Sequence, residues 1–291
     1  MWQQKSFENE EQKGILYLVP TPIGNLEDMS YRAVRILKEA DLIAAEDTRN
    51  TKKLLHYFEI DTQIVSYHEH NKESSGEKLI QKLKEGVKIA LVSDAGMPAI
   101  SDPGYELVSG AISEKVAVVP LPGANAALTS LIASGLSCQP FYFYGFLHRN
   151  KREKLEQLEA LKHQQATLIF YESPHRLKET LTLMEQVFGS REIALCRELT
   201  KKFEEFIRGS LQDVIQWANE DEIRGEFCLI VQGSNDQEAG QEEWWTDLTM
   251  EEHVNHYISV KQLTSKEAVK QTAKDRGLPK REVYQAYHID E

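Results

Sequence analysis

Apolar and polar positions switch between two periods along the first part of the chain. Short strand-like runs, ILYLV (15–19), DLIAAED (41–47), QIVSYHE (63–69), KIALVSD (88–94) and VAVVPLP (116–122), are separated by stretches of helical period. Those helices are SYRAVRILKEA (30–40), TKKLLHYF (51–58), SSGEKLIQKLKEG (74–86) and YELVSGAIS (105–113). Ser30 is placed to cap the first of them, with Ala33, Val34 and Leu37 on one face, and Gly86 closes the third. Five short runs with helices between them predict a parallel five-stranded sheet covered by helices.

A second pattern begins near Pro122. GANAALTSLIASG (123–135) reads as a helix, and FYFYGFL, ATLIFYES, EIALCREL, EEFIRG and GEFCLIVQG read as strands, with helices over 151–163, 174–188 and 210–219. EEFIRG immediately before a helix, and the closing GEFCLIVQG, predict a mixed sheet. The fold class is therefore α/β: two α/β units with a ligand cleft between them. The units span 14–122 and 123–233. Residues 234–252 carry Asp236, Glu238, Glu242, Glu243, Asp247, Glu251 and Glu252 with no Lys or Arg, and read as an acidic linker that Trp244 and Trp245 dock. From 253 to 291 a small helical unit follows. Its LTSKEAVKQTAKDRGLPKREVYQAYH has a capping box at Thr264 and Glu267 and a turn at Gly277-Leu278-Pro279, a helix-turn-helix shape with a basic surface.

Charge and composition narrow the picture. The net charge of −12 over 291 residues argues against broad non-specific nucleic-acid binding and makes local basic clusters informative. No apolar run reaches the roughly 20 residues a membrane span needs, and MWQQKSFENEEQKG lacks a signal-peptide core, so the expected location is the cytoplasm. Cys138, Cys196 and Cys228 are far apart and form no C-x-x-C pair; they read as small hydrophobes. His68 and His70 have ligand-like spacing without an identifiable third ligand, so no metal site is expected.

In an open α/β sheet, ligands sit at the carboxyl ends of strands. Four segments in such positions combine Gly, Pro and small residues: PTPIGN (20–25), SDAGMPAISDPG (93–104), PLPGANAA (120–127) and YESPHR (171–176). Gly lets backbone approach a ligand and Pro presets loop shape. There is neither a G-x-G-x-x-G nor a G-x-x-x-x-G-K-[ST], so a dinucleotide clamp and a P-loop are not indicated.

LVPTPIGNLEDMSYRA, AEDTR, SYHEHN, VSDAGMPAISDPG, PLPGANAA, FYESPHR, RELTKKFEE and GEFCLIV together resemble the tetrapyrrole methylase superfamily and, within it, the ribosomal RNA small subunit methyltransferase I branch. The resemblance covers 14–233, and the basic tail is similar to that branch's C-terminal unit. It implies S-adenosylmethionine bound in the cleft and methylation of the ribose 2′-hydroxyl of a cytidine in the decoding region of 16S rRNA. It also implies the small ribosomal subunit as partner, and a homodimer. Carried onto this chain, the cofactor-binding residues are Thr21, Pro22, Asp94, Ala95, Gly96, Pro98, Gly123, Ala124 and Tyr171.

Methyl transfer to a hydroxyl needs alignment and removal of a proton. Glu172, Arg176, Arg197, Glu198, Lys201, Lys202 and Glu204 are candidates, with Glu198 and Lys201 expected as base and charge-stabilising partner. RNA needs a basic path: Arg149, Lys151, Arg152 and Lys154 in HRNKREK, Arg176, and Lys270, Lys274 and Lys280 in the tail. Two other readings stay open. One is a superfamily methyltransferase acting on a tetrapyrrole small molecule. The other is a non-enzymatic RNA-binding protein that senses the cofactor.

Overall fold

Each apolar run of the first part pairs in parallel with its neighbours, giving a five-stranded sheet in the order β3-β2-β4-β1-β5, formed by β1 (Ile15–Leu18), β2 (Leu42–Ala45), β3 (Ile64–Ser66), β4 (Ile89–Val92) and β5 (Ala117–Pro120). The computed structural model describes residues 1–5, 13–235, 245 and 248–288. Strands β2 and β4 are buried at every position because both faces are covered. Helices α1 (Tyr31–Glu39) and α2 (Thr48–Tyr57) pack Ile36, Leu37 and Leu55 on one face; α3 (Lys72–Lys84) and α4 (Tyr105–Ser113) pack Leu79, Leu83 and Leu107 on the other. Ser30 caps α1 by accepting from the Ala33 amide at 3.1 Å, as its position predicts.

The second sheet is mixed, in the order β6-β7-β10-β8-β9. Strand β6 (Phe141–Phe146) runs parallel to β7 (Thr167–Glu172). Strands β8 (Glu192–Arg197), β9 (Glu205–Ser210) and β10 (Phe227–Val231) make antiparallel pairs. Helices α6 (Lys151–Leu161), α7 (Pro174–Phe188) and α8 (Leu211–Glu220) bury Leu158, Leu181, Met184 and Val214 against one face. Helix α5 (Ala126–Ser134) covers the other through Ala127 and Leu131, and there Ile23, from the loop after β1, packs onto the second sheet. That contact fixes the two sheets relative to one another. Both belong to one compact unit, Met1–Asn235.

The second unit is Asp236–Glu291. Of the expected acidic linker, residues 236–244 and 246–247, Trp244 among them, lie outside the described residues. Its last residues already belong to a helix: α9 (Met250–Ser259) starts at a capping box of Thr249 and Glu252. Helices α10 (Ser265–Asp275), capped by Thr264 and Glu267, and α11 (Lys280–His288) follow, so the described residues of this unit form three helices where the sequence suggested two. Val254, Val269, Ala273 and Val283 form its core. His253 is fully buried and stacks on Trp245 (centroids 5.0 Å apart) and Tyr257 (5.3 Å), while its Nδ1 accepts from Arg276 Nε at 3.1 Å. Among the described residues no helix is long and apolar enough to cross a membrane, and no group of His, Cys, Asp and Glu could hold a metal ion.

Candidate functional site

The order of the first sheet places β1 beside β4, and their outgoing helices α1 and α4 lie on opposite faces. This is the switch point at which open α/β sheets leave a crevice. Here the two strand-end loops are stitched together. The Thr21 amide donates to the Gly96 carbonyl and the Gly96 amide to the Thr21 carbonyl, both at 2.9 Å. Buried Thr21 also donates its hydroxyl to the Ser93 carbonyl at 3.1 Å. Gly96 adopts φ +78°, where a side chain would be strained. A Cβ at Gly123 would stand 2.6 Å from Pro20 Cβ, so the third loop can pack only as glycine.

These loops form one wall of a cavity of about 580 Å³; the second sheet forms the other. The size is that of a small-molecule site. On the first wall lie Asp94, Ala95, Gly96, Met97, Ile100 and Asp102, with Glu46 from the end of β2. Burial, with Glu46 and Asp94 nearby, pushes the Asp102 carboxyl up to about 6. Burial and then Asp94 raise Glu46 in the same sense. The cavity therefore disfavours its own negative charge and favours a cation. Asp94 accepts from the Asp47 amide and from Asn50 Nδ2, both at 3.2 Å, which ties this wall to the start of α2.

The facing wall carries Tyr171, Glu172, Cys196, Glu198, Lys201, Glu226 and Cys228, with Phe146 at one side. Tyr171 Oη accepts from the Ala127 amide at 3.2 Å, and burial holds its hydroxyl protonated, pushed up to about 12. Lys201 Nζ lies 3.1 Å from Glu198 Oε1 and 3.0 Å from Glu226 Oε2. Burial opposes the charges of both Glu198 and Lys201, but the surrounding hydrogen bonds outweigh it. Glu198, which also accepts the Glu226 amide, is lowered, and Lys201, bonded to both carboxylates, is raised. Lys201 is thus a protonated donor and Glu198 an ionised acceptor. Glu198 (φ 50°), Thr200 (65°), Ala99 (68°) and Ser101 (63°) are left-handed non-glycine residues on the two facing loops, and such strain concentrates where function demands it.

Of the residues expected at the cofactor site, Asp94, Ala95, Gly96 and Tyr171 line this cavity. Thr21 and Pro22 line a neighbouring groove that shares Asp94. Pro98 is buried behind the wall, and Gly123 and Ala124 shape the third loop without lining either space. Glu198 and Lys201 are brought together. Arg149, Lys151 and Arg152 are exposed at the start of α6, and Lys270, Lys274 and Lys280 are exposed on α10 and α11.

Two basic residues are not free for RNA. Lys154 is fully buried, with Nζ 2.9 Å from Glu179 Oε2 and 3.0 Å from Thr180 Oγ1, because its position on α6 faces α7. Arg176 is half-buried, 3.2 Å from Glu172 Oε1, and donates to the Leu147 carbonyl at 2.7 Å, which anchors the basic loop instead of contacting solvent. Sequence reasoning missed Glu46, Asp102 and Glu226, and read Cys196 and Cys228 only as core. Glu46 and Asp102 sat in the quoted AEDTR and SDPG motifs, where a strand-end acid was the available signal; Glu226 sat in the quoted GEFCLIV at a strand start, where the strand-end rule gives no signal.

The chain matches the family model "Tetrapyrrole (Corrin/Porphyrin) Methylases" over residues 15–215. It is 66% identical over 287 residues to the ribosomal RNA small subunit methyltransferase I of Bacillus subtilis (strain 168), and 60% identical over 285 residues to that of Halalkalibacterium halodurans, with 98% of each chain covered in both cases. Among solved structures, diphthine synthase overlaps with a TM-score of 0.59 at 14% identity, covering 75% of this chain and 90% of its own. Uroporphyrin-III C-methyl transferase from Thermus thermophilus, crystallised with S-adenyl homocysteine, overlaps at 0.52 and 20% identity, covering 75% and 97%. With this cleft, this pair of sheets and end-to-end relatives, the chain belongs to the tetrapyrrole methylase family and, within it, to the ribosomal RNA small subunit methyltransferase I group.

Proposed function

We propose that this protein uses S-adenosylmethionine to methylate the ribose 2′-hydroxyl of a cytidine in the decoding region of 16S rRNA within the small ribosomal subunit. The observation that carries this reading over a tetrapyrrole substrate is the end-to-end match to relatives named for ribosomal RNA. It covers 98% of this chain, whereas the overlap with the uroporphyrin-III C-methyl transferase structure covers 75% of it.

The cavity fits the cofactor. Its raised carboxylates favour a cationic ligand, Gly96 allows close backbone approach, and Ile23, Met97, Ala126 and Leu199 give apolar contact. Asp94, Ala95, Gly96 and Tyr171 would hold it directly; Thr21, Pro22, Pro98, Gly123 and Ala124 would fix the loops that do so. S-adenosylmethionine supplies a methyl group already activated on sulfonium. What remains for the protein is to exclude water, to orient the ribose and to manage one proton. Glu198, ionised and facing the cavity, would accept the hydroxyl proton as the ribose oxygen takes the methyl group, whose bond to sulfur breaks to leave a neutral thioether. Lys201, held protonated between Glu198 and Glu226, stabilises negative charge developing on that oxygen and keeps Glu198 in place.

The exposed bases Arg149, Lys151, Arg152, Lys270, Lys274 and Lys280 would contact phosphates. Arg176 anchors the loop before Arg149 through the Leu147 carbonyl. The homodimer implied by family resemblance is supported by exposed Phe141 and Tyr142 on edge strand β6. The cytoplasm is the corresponding location.

The test offers purified protein two acceptors in parallel, methylation-deficient small ribosomal subunits and uroporphyrinogen III, with methyl-labelled S-adenosylmethionine. Label in rRNA alone supports the proposal; label in the tetrapyrrole alone replaces it with the small-molecule reading.

A further inference from the structure

Helix α2 carries Arg49, Lys52 and Lys53 and no acidic residue, in a chain whose net charge is −12. It starts where Asp94 closes the cofactor cavity. Along its exposed side Asn50, Lys53 and Tyr57 face a groove of about 320 Å³, completed by Gly24, Leu26 and Pro22 from the loop after β1. Asp94 is a wall of both spaces, so the groove begins where the cavity ends. Tyr57 is 60% exposed and Leu26 37%. Neither Lys52 nor Lys53 makes an ion pair with any described residue, whereas Arg49 is held by Asp47 at 2.7 Å. An aromatic face, an amide and unpaired ammonium groups in one row are the elements that bind single-stranded nucleic acid: a base stacks, its edge meets the amide, and its phosphate meets a cation.

We propose that this groove binds a single-stranded nucleotide adjoining the methylated one, with Tyr57 stacking on its base and Lys53 contacting its phosphate. The proposal rests on the RNA reading above and adds to it a subsite on the first sheet's side of the cleft, built from residues outside the basic clusters named from the sequence. It accounts for an exposed tyrosine and leucine beside a cleft that has no core need of them.

The test compares Lys53→Gln, Tyr57→Ala and Tyr57→Phe with the unmodified protein, using methylation-deficient small ribosomal subunits as the probe. Methyl transfer is measured for KM and kcat, and subunit binding by filter retention over a series of salt concentrations. Lys53→Gln is expected to weaken subunit binding severalfold and to lower the salt slope by about one phosphate contact. Tyr57→Ala is expected to weaken it by roughly 5- to 100-fold with the salt slope unchanged, and Tyr57→Phe to restore it. Cofactor affinity should stay within about twofold in all three. A merely structural role for Tyr57 would move cofactor affinity as well, and would not move the salt slope at Lys53. If unmodified protein methylates the subunit while all three variants match it in KM, affinity and salt slope, the subsite is refuted. If the unmodified protein transfers no methyl group, the RNA reading itself fails, and unchanged filter retention by the variants would separately remove the groove.

Discussion

Replacing Thr180 by valine should unseat the buried charge network behind the cleft. Thr180 Oγ1 donates to Glu172 Oε2 at 2.6 Å and accepts from Lys154 Nζ at 3.0 Å. Glu172 is 2% exposed and Lys154 is fully buried. Valine keeps the volume and removes both bonds, leaving Lys154 with Glu179 alone, and Glu172 with the Ser173 amide and the Arg176 guanidinium. A hydrogen bond to a charged group is worth roughly 1.5–3 kcal/mol, and its loss inside a protein exposes the desolvation cost of the partner. Two such losses on shared partners should total about 3 kcal/mol, or about 6–12 °C in Tm for a unit of this size. Lys154→Met should cost less, about 1–2 kcal/mol. It removes the buried cation itself, and Glu179, with 43% of its side chain exposed, returns to water. Urea unfolding followed by circular dichroism measures both. A Thr180→Val change under about 0.5 kcal/mol, or a Lys154→Met cost above that of Thr180→Val, refutes the network as drawn. RNA binding by Lys154→Met should keep the salt slope of unmodified protein, since Lys154 does not reach the surface.

Asp102 links the cavity to pH. Its folded-state carboxyl is raised to about 6, so the stability belonging to its neutral form is full below the usual carboxylate range and is lost as pH rises through about 6. Asp102→Asn should therefore raise Tm at pH 7–8 and match the unmodified protein near pH 4. The gain should be on the order of 1 kcal/mol after allowing for the solvent that reaches the group. The same variant should weaken S-adenosylmethionine binding about tenfold at pH 7.5 and abolish its decline below pH 6, read by calorimetry; an unchanged affinity would remove Asp102 from the cofactor site. Lys201→Met and Glu198→Gln should each lower kcat about 100-fold with little change in cofactor affinity, measured in single turnovers. Gly123→Ala should raise the cofactor Kd at least tenfold, because its Cβ would stand 2.6 Å from Pro20 and displace the third loop; a wild-type Kd would show that the loop is dispensable.

Much of the α/β framework was legible because strands and helices differ in hydrophobic period, and because Ser30, Thr264 and Gly135 mark helix ends in the expected way. The mixed second sheet was legible from EEFIRG leading straight into a helix. Helix α9 was not, because its first turn is acidic and continues the charge run before it, although Thr249 and Glu252 spell its capping box. Lys154 shows the limit of reading charge along a chain. In HRNKREK four bases look equivalent, yet helical period turns one of them inward against α7, where Glu179 and Thr180 meet it. Arg176 fails for the same reason, since its partners Glu172 and the Leu147 carbonyl come from one turn back and from another strand end. The cofactor loops were visible as Gly-Pro-rich strand ends. The acids that set the charge of the cavity were not singled out, because their raised pKa arises from burial and mutual proximity that only the fold creates.

The chemical identity of the product decides whether the ribose hydroxyl is the methyl acceptor. Methylation-deficient small ribosomal subunits are incubated with the protein and methyl-labelled S-adenosylmethionine, and the 16S rRNA is digested to nucleosides and resolved by mass. Label is expected in 2′-O-methylcytidine, arising from one site in the decoding region and lost with Glu198→Gln. Label on a base carbon or nitrogen, or rRNA left unlabelled by protein that binds the cofactor, would contradict it.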